Sequence, residues 1–98
     1  MVGVNATSST INLLVQGTGS NIPFQVNSST GTSLLTVLGN GNVGIGTSTV
    51  GSRLVIQGST SDGTANALQI NNSGGTGLVT VINNGNVGIG TTGPATKL

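Results

Sequence analysis

The hexapeptide Asn-Val-Gly-Ile-Gly-Thr occurs at residues 42–47 and again at 86–91, an offset of 44. The agreement extends beyond it at the same offset. Leu35-Thr36-Val37 matches Val79-Thr80-Val81, Asn40-Gly41 matches Asn84-Gly85, and Phe24-Gln25-Val26-Asn27 matches Leu68-Gln69-Ile70-Asn71. A fixed period of this size marks a repeat architecture, in which each unit needs a neighbour to bury its apolar face. The chain therefore reads as part of a longer object.

Residues 13–16 match 54–57 at an offset of 41, so the first repeat is three residues shorter between its first two apolar runs. Length variation belongs in exposed loops, which places 17–22 and 58–66 outward. The chain divides into a lead-in at 1–11, a first shaft repeat at 12–52 and a second at 53–96. Lys97-Leu98 repeats Arg53-Leu54 and opens a third. Arg53 and Lys97 thus hold one repeat position, a recurring surface charge.

Four short apolar runs make up each repeat: 13–16, 23–27, 34–38 and 42–46 in the first, and 54–57, 67–71, 78–82 and 86–90 in the second. These are strand lengths, and their glycine and β-branched content disfavours helix. Alternation along them turns Phe24, Val26, Val43, Ile45, Leu68, Ile70, Val87 and Ile89 inward. Leu35, Val37, Val79, Val81, Leu54 and Ile56 complete the expected core. The 34–38 run is apolar on both faces, as in a strand covered on two sides. Asn40-Gly41 and Asn84-Gly85 lie between runs and predict β-hairpins with type I′ turns; 27–33 and 71–77 read as looser turns. Gly44, Gly46, Gly88 and Gly90 leave one strand face bare, which suits close approach of another backbone. In a fibre that backbone belongs to a neighbouring chain.

Composition says where such a core must come from. Only 3% of the 98 residues are charged, against roughly 25% in ordinary domains, and Phe24 is the sole aromatic. A repeat near 40 residues with so few large side chains needs disulfides, metals or oligomerisation. There is no cysteine or histidine, and Asp62 is the only side-chain carboxylate, so disulfides and a conventional structural metal site are excluded. Oligomerisation remains. A positive mean hydropathy of +0.27 and the grouping of apolar residues argue against a disordered linker. A net charge of +1 gives no case for nucleic acid, no run approaches a membrane span, and no signal peptide is visible.

The motifs with a chemical reputation fare poorly. Gly39-Asn40-Gly41-Asn42-Val43-Gly44 fits G-x-G-x-x-G, but that motif needs a following helix, and here a second β run follows. Asn83 also replaces the first glycine in the other repeat. Asn5, Asn27 and Asn71 open formal glycosylation sequons that arise readily in an Asn/Ser/Thr-rich chain. Nucleophilic chemistry lacks a base, since there is no His, Cys or Tyr. No catalytic residue, cofactor or metal is expected.

The stretch Asn-Gly-Asn-Val-Gly-Ile-Gly-Thr-(Ser/Thr)-x-(Val/Pro)-x-x-(Arg/Lys)-Leu, at 40–54 and 84–98, resembles the shaft repeats of phage tail fibres and related surface fibres. Such repeats often precede an endosialidase-type intramolecular chaperone domain, which these residues do not contain. The family pattern favours proline where Pro94 stands, and Val50 departs from it. The resemblance implies an all-β homotrimer, an intertwined shaft of the triple-stranded β-helix or β-spiral kind, on a virion or cell surface. It would be a rigid spacer, with receptor contact made by regions outside this segment. The alternatives are a monomeric β-solenoid binding ice or glycan, and a cross-β fibre.

Overall fold

A computed structural model of the chain describes residues 15–97. The lead-in, the sequon at Asn5, Leu13 and Leu14 of the first expected strand, and Leu98 lie outside the described residues. Among the described residues there are seven strands: β1 (Phe24–Asn27), β2 (Ser33–Val37), β3 (Val43–Ile45), β4 (Leu54–Ile56), β5 (Asn66–Asn71), β6 (Gly77–Ile82) and β7 (Val87–Ile89). No helix occurs among the described residues. The fold is all-β.

The strands form two separate sheets. The first has the order β1-β2-β3-β4 and the second the order β5-β6-β7. Pairings β1–β2, β2–β3, β5–β6 and β6–β7 are antiparallel, so each repeat is built on a three-stranded meander. Its register is the same in both. Phe24 faces Val37 and Val37 faces Val43; Leu68 faces Val81 and Val81 faces Val87. One boundary differs from the sequence division. β4, the first run of the second repeat, closes the sheet of the first repeat, so the sheet boundary falls after β4 and not before Arg53.

All four hairpin connections close in one way. In each, a residue's N–H donates to the carbonyl four positions on, and the glycine just before that position donates back to the first residue's carbonyl. The first residues are Ser28, Leu38, Asn72 and Ile82, and the glycines are Gly31, Gly41, Gly75 and Gly85, with bonds of 2.9–3.0 Å. Those glycines hold φ of 85°, 86°, 82° and 95°, while no non-glycine residue among the described residues has positive φ. The expected type I′ turns are therefore corrected. Asn40 and Asn84 keep negative φ, and the three-residue loop has one left-handed position, filled by glycine. The loops expected to be looser, at 27–33 and 71–77, are the same tight turn.

Side chains brace these turns. Asn40 Oδ1 accepts the Asn42 N–H at 3.0 Å, and Asn84 Oδ1 accepts that of Asn86 at 3.0 Å. Asn72 Oδ1 takes the N–H groups of both Gly74 and Thr76, and Ser28 Oγ those of Thr30 and Thr32. Asn and Ser suit these places because a short polar side chain reaches the backbone two residues on. The longer loop of the second repeat has its own brace. Asp62 Oδ1 accepts bonds from Thr64 Oγ1, Thr64 N–H and Thr60 Oγ1. The Thr64 hydroxyl first, then its N–H and the Thr60 hydroxyl, lower the Asp62 pKa below its ordinary value. That brace is complete above the ordinary carboxylate range and is lost as acid protonates Asp62.

Forcing an L side chain into the left-handed region costs about 1–2 kcal/mol. Gly41→Ala and Gly85→Ala should each lower stability by about that amount in urea denaturation at fixed chain concentration. Gly39→Ala, at a position with negative φ where a methyl would meet the Asn21 carbonyl oxygen at an ordinary contact distance of 3.6 Å, should have a smaller effect.

Candidate functional site

Pairing register decides which residues share a face. Directly opposed residues of an antiparallel sheet project to the same side. Phe24, Val37 and Val43 therefore form one row, and Val26, Leu35 and Ile45 the next. In the second sheet the rows are Leu68-Val81-Val87 and Ile70-Val79-Ile89. Each meander thus carries one face of six apolar residues with no polar interruption. Within a single chain this face is poorly covered. Phe24, Val26, Ile45 and Ile70 are exposed and Ile89 is 67% exposed, while Leu35, Val37, Val43, Leu68, Val79, Val81 and Val87 are half-buried. On β4, Leu54 is 57% exposed and Ile56 half-buried.

The opposite face has the row Gln25-Thr36-Gly44, repeated as Gln69-Thr80-Gly88. Here the chain covers itself. A Cβ at Gly44 would lie 2.6 Å from the Thr47 carbonyl oxygen and 2.7 Å from Val50 Cγ2. A Cβ at Gly88 would lie 2.5 Å from the Thr91 carbonyl oxygen, with Pro94 Cβ at 3.3 Å. The backbone that approaches these two glycines is the chain's own, in place of the neighbouring chain expected from sequence. The segments after β3 and after β7 each fold back over their own sheet, and Thr36 and Thr80 have no exposed surface, while Leu34 and Leu78 on the same faces are 48% and 45% exposed. Val50, 7% exposed, is the core residue of this layer.

Each residue of the hexapeptide has a place in that fold-back. Asn42 Nδ2 donates to the Val50 carbonyl at 3.1 Å, and Asn86 Nδ2 to the Pro94 carbonyl at 3.0 Å. Val43 and Ile45 point to the apolar face, and Gly44 lets the return segment in. Gly90 is not a close-packing glycine, since nothing lies within 4 Å of where its Cβ would be, and it and Gly46 have a backbone role. Gly46 and Gly90 hold φ of 74° and 72° and donate to the carbonyls of Leu34 and Leu78, so they make the reversal itself. Thr47 and Thr91 follow, accepting the N–H groups of Thr49 and Gly93 on Oγ1. Val50 in the place of Pro94 keeps the same bond to the asparagine, so proline is not required there.

The recurring cations lie over the Asn-Gly turns. Arg53 Nη1 donates to the Asn40 carbonyl at 3.1 Å, and the Lys97 ammonium stands beside Gly85, 3.5 Å from where a Cβ would be. This clasp was not legible in the sequence, where the two cations showed only a shared position. Among the described residues no group of three or more His, Cys, Asp or Glu could hold a metal ion, and no helix is long and apolar enough to cross a membrane. The G-x-G-x-x-G stretch is a hairpin turn running into β3, with no helix after it. No family model, no curated protein and no solved structure matches the chain.

The two polar faces differ in one respect. Gln25 Nε2 donates to Ser33 Oγ at 2.6 Å and to Thr36 Oγ1 at 3.2 Å. In the second repeat Gly77 replaces Ser33, Gln69 Oε1 instead accepts from Asn66 Nδ2, and the buried Thr80 hydroxyl has no partner among the described residues. A buried unsatisfied polar group costs about 1–3 kcal/mol. Thr80→Val, which keeps the shape, should raise stability by about 1 kcal/mol, whereas Thr36→Val should lower it by a similar amount. Urea midpoints of the two variants against the parent check the difference in sign.

Proposed function

We propose that this chain is a shaft segment of a surface fibre, of the phage tail-fibre kind, in which three copies join their apolar sheet faces around a common axis. It acts as a rigid spacer on a virion or cell surface. Receptor contact falls to other parts of the fibre, and the segment carries no catalytic site, cofactor, nucleic-acid site or membrane insertion. The single observation that carries the reading is the six-residue apolar face, present in both repeats at one register and left uncovered by the chain. A contiguous exposed apolar face marks an association surface.

Energy favours closing it. Completing the burial of a half-exposed aliphatic side chain contributes about 1 kcal/mol, roughly half of its full transfer value. Ten or more such side chains per chain act together, and the low charge leaves little repulsion between copies. The Ser, Thr and Asn of loops and turns then meet water. Antiparallel meanders with three-residue turns do not supply the parallel ladder of rungs that the solenoid alternative requires. Glycine-rich reversals at Gly46 and Gly90 break the long flat strands that a cross-β fibre requires.

Sedimentation equilibrium tests the reading. The parent should have the mass of three 9.5 kDa chains. Ile45→Asp with Ile89→Asp places two carboxylates on the joined faces, where an unpaired charge costs several kcal/mol, and should give single chains. Ile45→Val with Ile89→Val should keep the three-chain mass. A parent of single-chain mass that is folded and stable would remove the proposal.

A further inference from the structure

We propose that Asn40 and Asn84 are sites of spontaneous deamidation gated by their own hairpin turns: the closed turn shields the amide, and a chain held open is converted into one that cannot close again. The reaction needs no enzyme. The nitrogen of the following residue loses its proton to solvent base and attacks the asparagine Cγ. A C–N bond forms, the bond from Cγ to Nδ2 breaks, and ammonia leaves a cyclic succinimide. Water then opens that ring at either carbonyl, giving aspartate or isoaspartate. A side chain on the attacking residue hinders the approach, so glycine is the most permissive follower. Asn40 and Asn84 are the asparagines of this chain that precede glycine.

The fold imposes this pairing. Gly41 and Gly85 hold φ of 86° and 95°, where an L side chain is strained. Asn40 and Asn84 supply the Oδ1 that accepts the N–H two residues on, at 3.0 Å in both turns. Both asparagines and both glycines are exposed, so water reaches them and burial gives no shelter. Shelter comes from the bonding. The attacking nitrogens are engaged, the Gly41 N–H donating to the Leu38 carbonyl at 3.0 Å and the Gly85 N–H to the Ile82 carbonyl at 2.9 Å. The amides under attack are held by Asn42 and Asn86 through Oδ1. Bringing Cγ onto the glycine nitrogen breaks both bonds of a turn together. Reaction therefore runs through the open turn, and its rate follows the open population.

The two products differ in what they do to the fold. Aspartate keeps an Oδ1 acceptor, and the turn re-forms. Isoaspartate routes the main chain through Cβ and adds one atom to the loop. The closing bonds from the Leu38 N–H to the Asn42 carbonyl and from the Ile82 N–H to the Asn86 carbonyl span a loop of set length, and the added atom puts them out of register. Chemical change in the open state makes unfolding irreversible. The device lies within each turn, so it is independent of the three-chain association proposed above.

The test ages the whole chain at mildly alkaline pH, in native buffer and in urea, and follows conversion at Asn40 and Asn84 by mass-spectrometric peptide mapping. Conversion in native buffer should be slower by roughly tenfold or more. The urea-aged chain is then returned to native buffer and its folded and unfolded fractions are separated. Isoaspartate at either position should be confined to the unfolded fraction, with aspartate present in the folded one. Asn40→Ser with Asn84→Ser, which keeps a short acceptor and has no amide to lose, should refold after ageing as completely as before it. Equal conversion rates in native buffer and urea would overturn the proposal. So would isoaspartate at equal levels in both fractions, or a loss of refolding in the serine variant as large as in the parent.

Discussion

Everything in each repeat depends on the missing side chain at Gly44 and Gly88. A carbonyl oxygen of the returning chain lies 2.6 Å from where a Cβ would be at Gly44 and 2.5 Å from where one would be at Gly88. Any larger residue would push the return segment off the sheet. With the segment in place, Thr47 and Val50 lie over Gly44, and Thr91 and Pro94 over Gly88, and Thr36 and Thr80 are fully buried, while Leu34 and Leu78 on the same face stay about half exposed. A meander covered in part on one side by its own backbone presents its six-residue apolar face on the other, and a contiguous exposed apolar face is the mark of an association surface.

Much of this order was legible in the sequence because period-two alternation is a direct record of facing. The strands fall within one or two residues of the runs read from apolar grouping, and Phe24, Val26, Val43 and Ile45 do share a face. The turn type was not legible. Asn-Gly fits both a two-residue turn with two left-handed residues and a three-residue turn with one, and only the position of the closing hydrogen bond separates them. The roles of the alternate glycines were half legible. Sequence shows that Gly44 admits a close backbone, but not that the backbone is the chain's own, because the reversal is made two residues later at Gly46. The membership of β4 was hidden for a related reason. Sequence similarity marks where a repeat begins, whereas hydrogen bonding decides which sheet its first strand joins.

The two repeats also show which parts of the pattern carry the fold. Val50 replaces Pro94 and the asparagine bond to that carbonyl survives, so the bond and not the ring fixes the return segment. Ser33 becomes Gly77, and the glutamine that satisfied the buried threonine turns away to Asn66. The second repeat keeps its sheet, register and turns regardless. Interior polar bonding is therefore secondary to the glycine contact and to the apolar rows. Arg53 and Lys97 over the Asn-Gly turns complete the unit, holding the chain's exit against its own hairpin tip.

The central claim is that the apolar rows are covered by other copies of the chain, and methyl NMR with a soluble paramagnetic probe reads that directly. In a lone chain the Ile89 side chain is 67% exposed and Ile45 is 44% exposed, so their methyl signals would be bleached as strongly as that of the exposed turn residue Thr30. The account predicts that in the native protein the Ile45 and Ile89 methyls are protected while Thr30 is bleached. Equal bleaching of all three in the folded protein would contradict it.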